Sequence, residues 1–447
     1  MTSPSYPFDV SHRDIWRIAL PASIAFITEP LVGIVDITVI GRLGDAGLLG
    51  GLELGTVMFS LVFSLVFFLR LGTAGLTAQS IGQQHKDQGL VHLIRAAILG
   101  LGIGLALMVL SAPLQMLGMW LFAPPGPAVA TPFLSYLQIR MFSAPFVLLN
   151  FAFLGWFYGK GAAKTGMVLQ MGLNALNIIF SIWFVYGLGW GVAGVAWGTV
   201  IAEAIIVVVS IASVVFSVGG LTVFKNAFLS KNLFEAKALW RLFALSRDLM
   251  IRSLALMGAF VFFSAQMSRS GEIVLASSAI LLNFLMVTAF FLDGQAQAAE
   301  HFCGKAIGAN WRPAFERAQK LSMLWGLVIG FSLFLFWIMA GPALIDFMTT
   351  NQEVRQMARQ YLFVAGLISF TGVVPFVMDG VMTGATLHTI IRNGMVASFI
   401  IYIIAAYALE NFFGLTGLWL AMHIFFVSRG VIFWFAVRAK LPALFTI

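Results

Sequence analysis

Runs of about 20 or more mostly apolar residues recur along the whole chain, and each is long enough for an α-helix to cross a bilayer. Twelve are legible: 15–41, 50–77, 89–112, 131–158, 165–187, 191–216, 241–268, 272–303, 317–340, 355–384, 391–409 and 414–437. Turn residues separate several of them, namely Gly41–Arg42, APPGP at 123–127, Gly187–Gly191, Gly341–Pro342 and Gly414. Only 10% of the residues are charged and 60% are hydrophobic, whereas a soluble domain carries charge on about a quarter. These 447 residues cannot cover a globule with polar surface. Lipid is the expected solvent and the expected fold class is an all-α integral membrane protein.

The net charge of +8 invites a nucleic-acid reading, which the distribution of the basic residues removes. With both termini placed inside, the inner segments hold most of the Lys and Arg, including Arg13, Arg17, Lys160, Lys164, Lys305, Arg312, Arg317, Lys320, Arg438 and Lys440. The segment around 217–240 adds Lys225, Lys231, Lys237 and Arg241. The outer loops hold Arg42, Arg269, Arg355 and Arg359. This bias orients the protein with cytoplasmic ends. The lone Cys303 forms no internal disulfide, and one Cys with six scattered His makes no zinc cluster. MTSPSYPFDVSHRDIW lacks a basic region followed by a cleavable apolar core, so the first apolar run reads as a mature span.

The chain repeats itself weakly. AQSIGQQ (78–84) matches GKAIGAN (304–310), Tyr136–Leu137 matches Tyr361–Leu362, Pro113 matches Pro342, and GVAGVAW (191–197) matches GLTGLWL (414–420). The matches fall in order at a nearly constant spacing. Six spans per half bring both halves into the membrane from the same side, a parallel repeat about an axis along the membrane normal. The expected organisation is an N-terminal six-helix bundle (1–216), a cytoplasmic linker (217–240) and a C-terminal six-helix bundle (241–447). Two such bundles around a central cavity suit an alternating-access transporter.

A charge at the bilayer centre costs about 2.5–3.5 kcal/mol, yet the spans contain Glu29, Asp36, Glu53, Arg70, Arg140, Glu203, Arg252, Asp293, Glu300, Asp379 and Arg429. Asp36 stands in VGIVDITVIG with no basic residue within five positions, roughly 8 Å from the outer end of its helix. In QMGLNALNIIFS, Gln170, Asn174, Asn177 and Ser181 recur at helical spacing and form one polar stripe. Thr199 lies at a similar depth. These residues predict a polar pocket in the outer half of the N-terminal bundle, serving either cation coupling or interhelical hydrogen bonding alone. Arg70, Arg140, Arg252 and Arg429 read as structural charges, paired with Glu203, Glu300 or backbone carbonyls. Asp293 and Asp379 read as ion-pair partners or as second coupling acids. His301, His388 and His423 match no ligand pattern.

The chain resembles the multidrug and toxic compound extrusion (MATE) transporters, in particular the DNA-damage-inducible protein F branch. The likeness is carried by WRIALP (16–21), GIVDITVIGRLGD (33–45), FLRLGTAGLTAQSIG (68–82), GLNALNIIFSIWFVYG (172–187), VIAEA (200–204), LDGQAQAAEHFCGKAIGA (292–309) and MDGVMTGAT (378–386). It implies twelve helices in two pseudo-twofold-related bundles and cation-coupled drug efflux at the bacterial inner membrane. By the resemblance, the family's first-span acid falls on Asp36, its proline on Pro21, its fifth-span asparagine on Asn177 and its sixth-span threonine on Thr199. Many members of the branch carry an acid one turn after that asparagine, where this chain has Ser181. Asp293, Glu300 and Asp379 keep candidate second coupling acids in the C-terminal bundle.

The expected activity is a proton-coupled antiporter for amphipathic, cationic organic compounds, working as a monomer without a cofactor or nucleic-acid partner. A carboxyl that can be neutral or anionic can exchange a proton for a cationic substrate. Pro21, Pro30 and Gly33 give the first span a place to bend. Sodium coupling is a rival, because Asp36, Asn177 and Thr199 offer oxygen ligands. A lipid-linked-precursor flippase would want a strongly basic cavity. An enzyme or receptor is disfavoured by the absence of paired catalytic carboxylates, a P-loop or a nucleophile motif, and by the doubled architecture.

Overall fold

The computed structural model describes residues 6–124, 126–229, 233 and 235–445, with the backbone alone at 86–87 and 236–246. Residues 1–5 of the N-terminal segment, Pro125 of APPGP, Lys231, and the side chains of Lys237 and Arg241 thus lie outside the described residues.

The described chain is helical. Its first half contains α1 (His12–Gly41), α2 (Ala46–Val66), α3 (Phe68–Gly82), α4 (Lys86–Val109), α5 (Ser111–Phe122), α6 (Pro127–Phe142), α7 (Ala144–Gly159), α8 (Ala163–Ile182), a π-helical turn (Trp183–Gly187), α9 (Gly191–Val218) and α10 (Leu221–Phe228). The second half contains α11 (Ala236–Arg269), α12 (Glu272–Gly308), α13 (Arg312–Met348), α14 (Gln352–Thr371), α15 (Val373–Gly384), α16 (His388–Phe413) and α17 (Leu415–Leu444). Among the described residues, 11 helices or helix runs are long and apolar enough to cross a membrane, or 12 if α6 and α7 count as one span.

Local chemistry sets the ends. Asp45 accepts from the backbone N–H of Gly47 and Leu48 and caps α2, and Asn351 caps α14 in the same way. Gly219 takes the left-handed conformation that closes α9.

The helices depart from the expected spans in five places. The fourth span is two helices that meet at Ser143 with a 52° bend, where Pro145 at the start of α7 has no N–H to give. The second and tenth spans are broken at Phe67 and Gly372. Gly341–Pro342 does not end a span, because α13 runs through it to Met348. The missing N–H of Pro342 removes only one bond from a helix of 37 residues. The stretch after the third span forms the 12-residue α5. The first span is a continuous helix through Pro21, Pro30 and Gly33.

The chain separates into two compact units, Met1–Phe26 with Ala78–Gln84 and Arg247–Ile447, and Ile27–Thr77 with His85–Ser246. Relative to the 1–216, 217–240 and 241–447 division, residues 1–26 and 78–84 group with the C-terminal half. Specific contacts account for this. Trp16 packs edge-on against Trp325 at 5.0 Å, and the Trp325 indole donates to His12 Nδ1 at 3.2 Å. Gly294 of α12 meets Ser23 and Ala19, and Gly308 meets the backbone of Gln79. The core of this unit gathers Phe263, Phe284, Trp337, Trp419, Phe425 and Phe426, with Phe284 stacked on Trp337 at 4.5 Å. In the other unit Val39, Ile40, Leu52, Tyr136, Val192 and Val195 form a core beside the end of α1.

Candidate functional site

Asp36 lies in the last two turns of α1 and is 9% exposed. The polar stripe of α8 faces that helix, but at two separate levels. At the level of Asp36, Ser181 lies close enough to act on its carboxyl and donates to Asn177 Oδ1 at 3.3 Å. Asn177 Nδ2 in turn donates to Thr199 Oγ1 at 2.7 Å. The Thr199 hydroxyl is anchored on the Val195 carbonyl at 3.0 Å. Asp36, Ser181, Asn177 and Thr199 therefore form one cluster shared by α1, α8 and α9.

Asn174 does not join them. Its amide donates to Thr28 Oγ1 at 2.8 Å, and Gln170 donates to Asn174 Oδ1 at 3.3 Å. Thr28 is eight residues before Asp36, about 12 Å along the helix. The stripe thus ties α1 to α8 at two heights, and only the upper tie touches the acid.

Close approach of the helices makes the upper cluster possible. A Cβ on Gly198 would come 2.8 Å from the Ser181 backbone nitrogen, so α9 sits against α8 where no side chain fits. One residue further, Thr199 reaches Asn177. The π-helical turn begins two residues after Ser181, and within it Tyr186 donates to the Val39 carbonyl at 3.1 Å. Such turns frequently mark functional positions in helices.

Among the described residues Asp36 makes no ion pair, and its Oδ1 has no hydrogen-bond partner. The nearest cation that acts on it is Arg140, which is engaged elsewhere. Arg140 pairs with Glu203 at 3.1 Å, donates to Ser143 Oγ at 2.8 Å and lies over the Phe59 ring at 3.8 Å. Both members of this pair are buried. Asn150 reinforces the pair by donating to the Glu203 carbonyl at 3.3 Å. Arg70 is buried over the Phe67 and Tyr158 rings, 5.0 and 5.2 Å from their centroids.

The C-terminal unit has its own cluster. Asp379 Oδ2 accepts from Arg252 at 2.8 Å and lies 3.7 Å from Arg429. Arg252 and Arg429 thus hold Asp379. Arg429 is further enclosed by Phe376, Phe425 and Phe426. Glu300 accepts from Gln297 at 3.0 Å, and Asp293 and Glu300 both act electrostatically on Arg252.

Asp248 carries no sequence signal, since it stands beside Arg247 within α11. Folding sets it against Thr389 and Arg392, each at 2.7 Å. His423 bridges Thr371 and the Val364 carbonyl, both at 2.9 Å, as a structural cross-link.

The family model described as MatE matches residues 21–183 and 249–408. DNA damage-inducible protein F of Escherichia coli (strain K12) is 32% identical over 94% of this chain and 91% of its own length. Multidrug export protein MepA of Staphylococcus aureus (strain MSSA476) is 21% identical over 91% of this chain and 88% of its own. Among solved structures, an outward-facing multidrug resistance MATE family transporter of the MOP superfamily superposes with a TM-score of 0.85. It is 18% identical and covers 97% of this chain and 96% of its own. A MOP superfamily transporter from Pyrococcus furiosus reaches 0.87 at 18% identity, over 98% and 97% of the two chains. At that identity these structures speak for the fold alone. The chain therefore belongs to the MatE family of multidrug efflux transporters, as a multi-pass membrane transporter rather than an enzyme.

Proposed function

We infer that this transporter is a secondary antiporter that exports amphipathic organic cations in exchange for protons by alternating access. The observation that carries this reading is Asp36. It is a buried carboxyl with hydroxyl and amide neighbours, an oxygen without a hydrogen-bond partner, and no bound guanidinium. A carboxylate locked in an ion pair has no reason to exchange its proton. One held by neutral donors alternates between anion and acid as its surroundings change. Intramembrane acids in transporters mark relays of this kind. Facing outward, Asp36 takes a proton and the substrate leaves. Facing inward, it gives the proton up and the negative charge draws in the next cation. The location that fits is a bacterial inner membrane with both ends in the cytoplasm, on the basic-residue bias of the inner segments.

Asp293, Glu300 and Asp379 form the second candidate coupling group. Of these, Asp379 is bound by Arg252. A lipid-phosphate flippase is disfavoured because Arg140 and Arg252 are each bound to a carboxylate within their own unit.

The deciding experiment is transport in liposomes containing the purified protein, with a panel of cationic dyes. Uptake driven by an imposed pH gradient, and unaffected by a sodium gradient, supports the reading. Uptake driven by sodium alone, at equal pH on both sides, replaces it with sodium coupling.

A further inference from the structure

Asp36 is reachable by a proton but not by a bulky organic cation. It is 9% exposed, and its partners Ser181 and Asn177 are 0% and 3% exposed. The substrate's charge must be met elsewhere, and the same helix carries a second carboxylate. Glu29 lies seven residues before Asp36, two turns and about 10 Å along α1, on the same face. Gly33 lies between them on that face, and no atom comes within 4 Å of the place its Cβ would occupy. Glu29 itself is exposed.

The exposed Leu20, Ile24, Leu31 and Ile34 lie across the helix from Glu29, Leu31 about 200° around from it, with the exposed Pro30 and Ile37 between the two faces. A carboxylate aimed into hydrocarbon costs about 2.5–3.5 kcal/mol, so the open space beside Gly33 is the place where water and a polar ligand belong. Arg70 is close enough for its charge to act on Glu29. Yet Glu29 makes no ion pair among the described residues. A guanidinium held at that remove weakens the hold on a second cation without filling its place, which suits a group that must release its ligand as well as bind it.

We propose that Glu29 is the docking carboxylate for the cationic group of the substrate and sets the preference for organic monocations, while Asp36 handles the proton. The proposal rests on the antiport reading above and assigns the two charges of the exchange to two positions on one helix. Gly33 leaves room for the apolar body of the ligand between them.

The test measures equilibrium binding to the purified full chain of tetraphenylphosphonium, a monocation, and of triphenylphosphine oxide, a neutral relative. Glu29→Gln should raise the Kd for the cation about tenfold or more and leave the neutral compound unchanged. Glu53→Gln removes another exposed acid of the same unit, on α2, and should bind both compounds as the parent does. Gly33→Leu fills the open space and should weaken both. Cation binding by Glu29→Gln within about twofold of the parent, or loss in Glu53→Gln instead, overturns the proposal. If Glu29→Gln does not fold, Gly33→Leu decides, and parent-like cation binding there also overturns it. A parent protein that transports no cation at all removes the antiport reading together with this one. Cation export by the parent with Glu29→Gln unchanged removes Glu29 alone.

Discussion

A single carboxyl can titrate inside a membrane protein only if its charged form is tolerated without being trapped. Ser181, Asn177 and Thr199 give Asp36 that condition, since hydroxyls and amides reorient between donor and acceptor roles and carry no charge of their own. Asp36→Asn keeps the size and the hydrogen bonds but cannot titrate. Exchange of protons for dye should fall to the background of empty liposomes, while the variant's melting temperature stays within a few degrees of the parent's. Full exchange in that variant would take Asp36 out of the mechanism. The Arg140–Glu203 pair behaves in the opposite way. Both groups are buried, so removing one leaves an uncompensated charge at about 3–5 kcal/mol, whereas replacing both with apolar residues is often neutral. Arg140→Met should sharply lower the thermal stability, and Arg140→Met with Glu203→Met should recover most of it, as read by melting in detergent. Asp36 and the stripe of Asn177 and Ser181 were legible in the sequence, because a bare acid in an apolar run and a polar stripe at helical spacing are local patterns. The partner of Asp379 was not. Arg252 is 127 residues away, and nothing local distinguishes it from the other intramembrane arginines.

At the scale of the helices, small residues decide which elements touch. In membranes association depends on close packing rather than on the hydrophobic effect, and glycines four apart let backbones meet. Gly380 and Gly384 of α15 would place a Cβ against the Ala296 and Glu300 carbonyls of α12. Gly155 and Gly159 of α7 do the same against Arg70 and Ala74 of α3. Gly380→Leu should therefore prevent α12 and α15 from closing and abolish the monodisperse peak in size-exclusion chromatography. Gly33→Ala should be tolerated, with a melting temperature equal to or above the parent's, because its Cβ meets open space and alanine is the better helix former by roughly 0.5–1 kcal/mol. Parent-like behaviour of Gly380→Leu would show that the close approach is dispensable. The glycines are visible in the sequence, but their two classes are not. A glycine that admits a neighbouring backbone and one that borders a void have the same letter, and only the partner helix tells them apart. The same limit applies to prolines. Pro145 stands at a 52° bend and Pro342 lies inside a continuous helix, a difference set by the packing around each.

For the whole transporter, the exchange of one proton for one monocation moves no net charge. Each unit charge carried through 100 mV is worth about 2.3 kcal/mol, so a one-for-one antiporter should ignore a potassium–valinomycin potential imposed without a pH gradient. Acceleration of dye export by that potential would show that more than one proton moves per cycle, and would bring Asp293 or Glu300 into the count. Hydropathy alone determined that the chain lives in a bilayer, which stretches are long and apolar enough to cross it and which residues are charged within them. These are properties of consecutive residues in a known solvent, and helix geometry converts them directly into spans and faces. Only the tertiary structure decided that Asn174 serves Thr28 rather than Asp36, that Asp379 is held by two guanidiniums, and that the start of α1 groups with the C-terminal half. Those outcomes depend on which helix lies beside which and at what height. Lipid exerts no preference among apolar helix faces, so that choice is made by contacts between residues far apart in the chain.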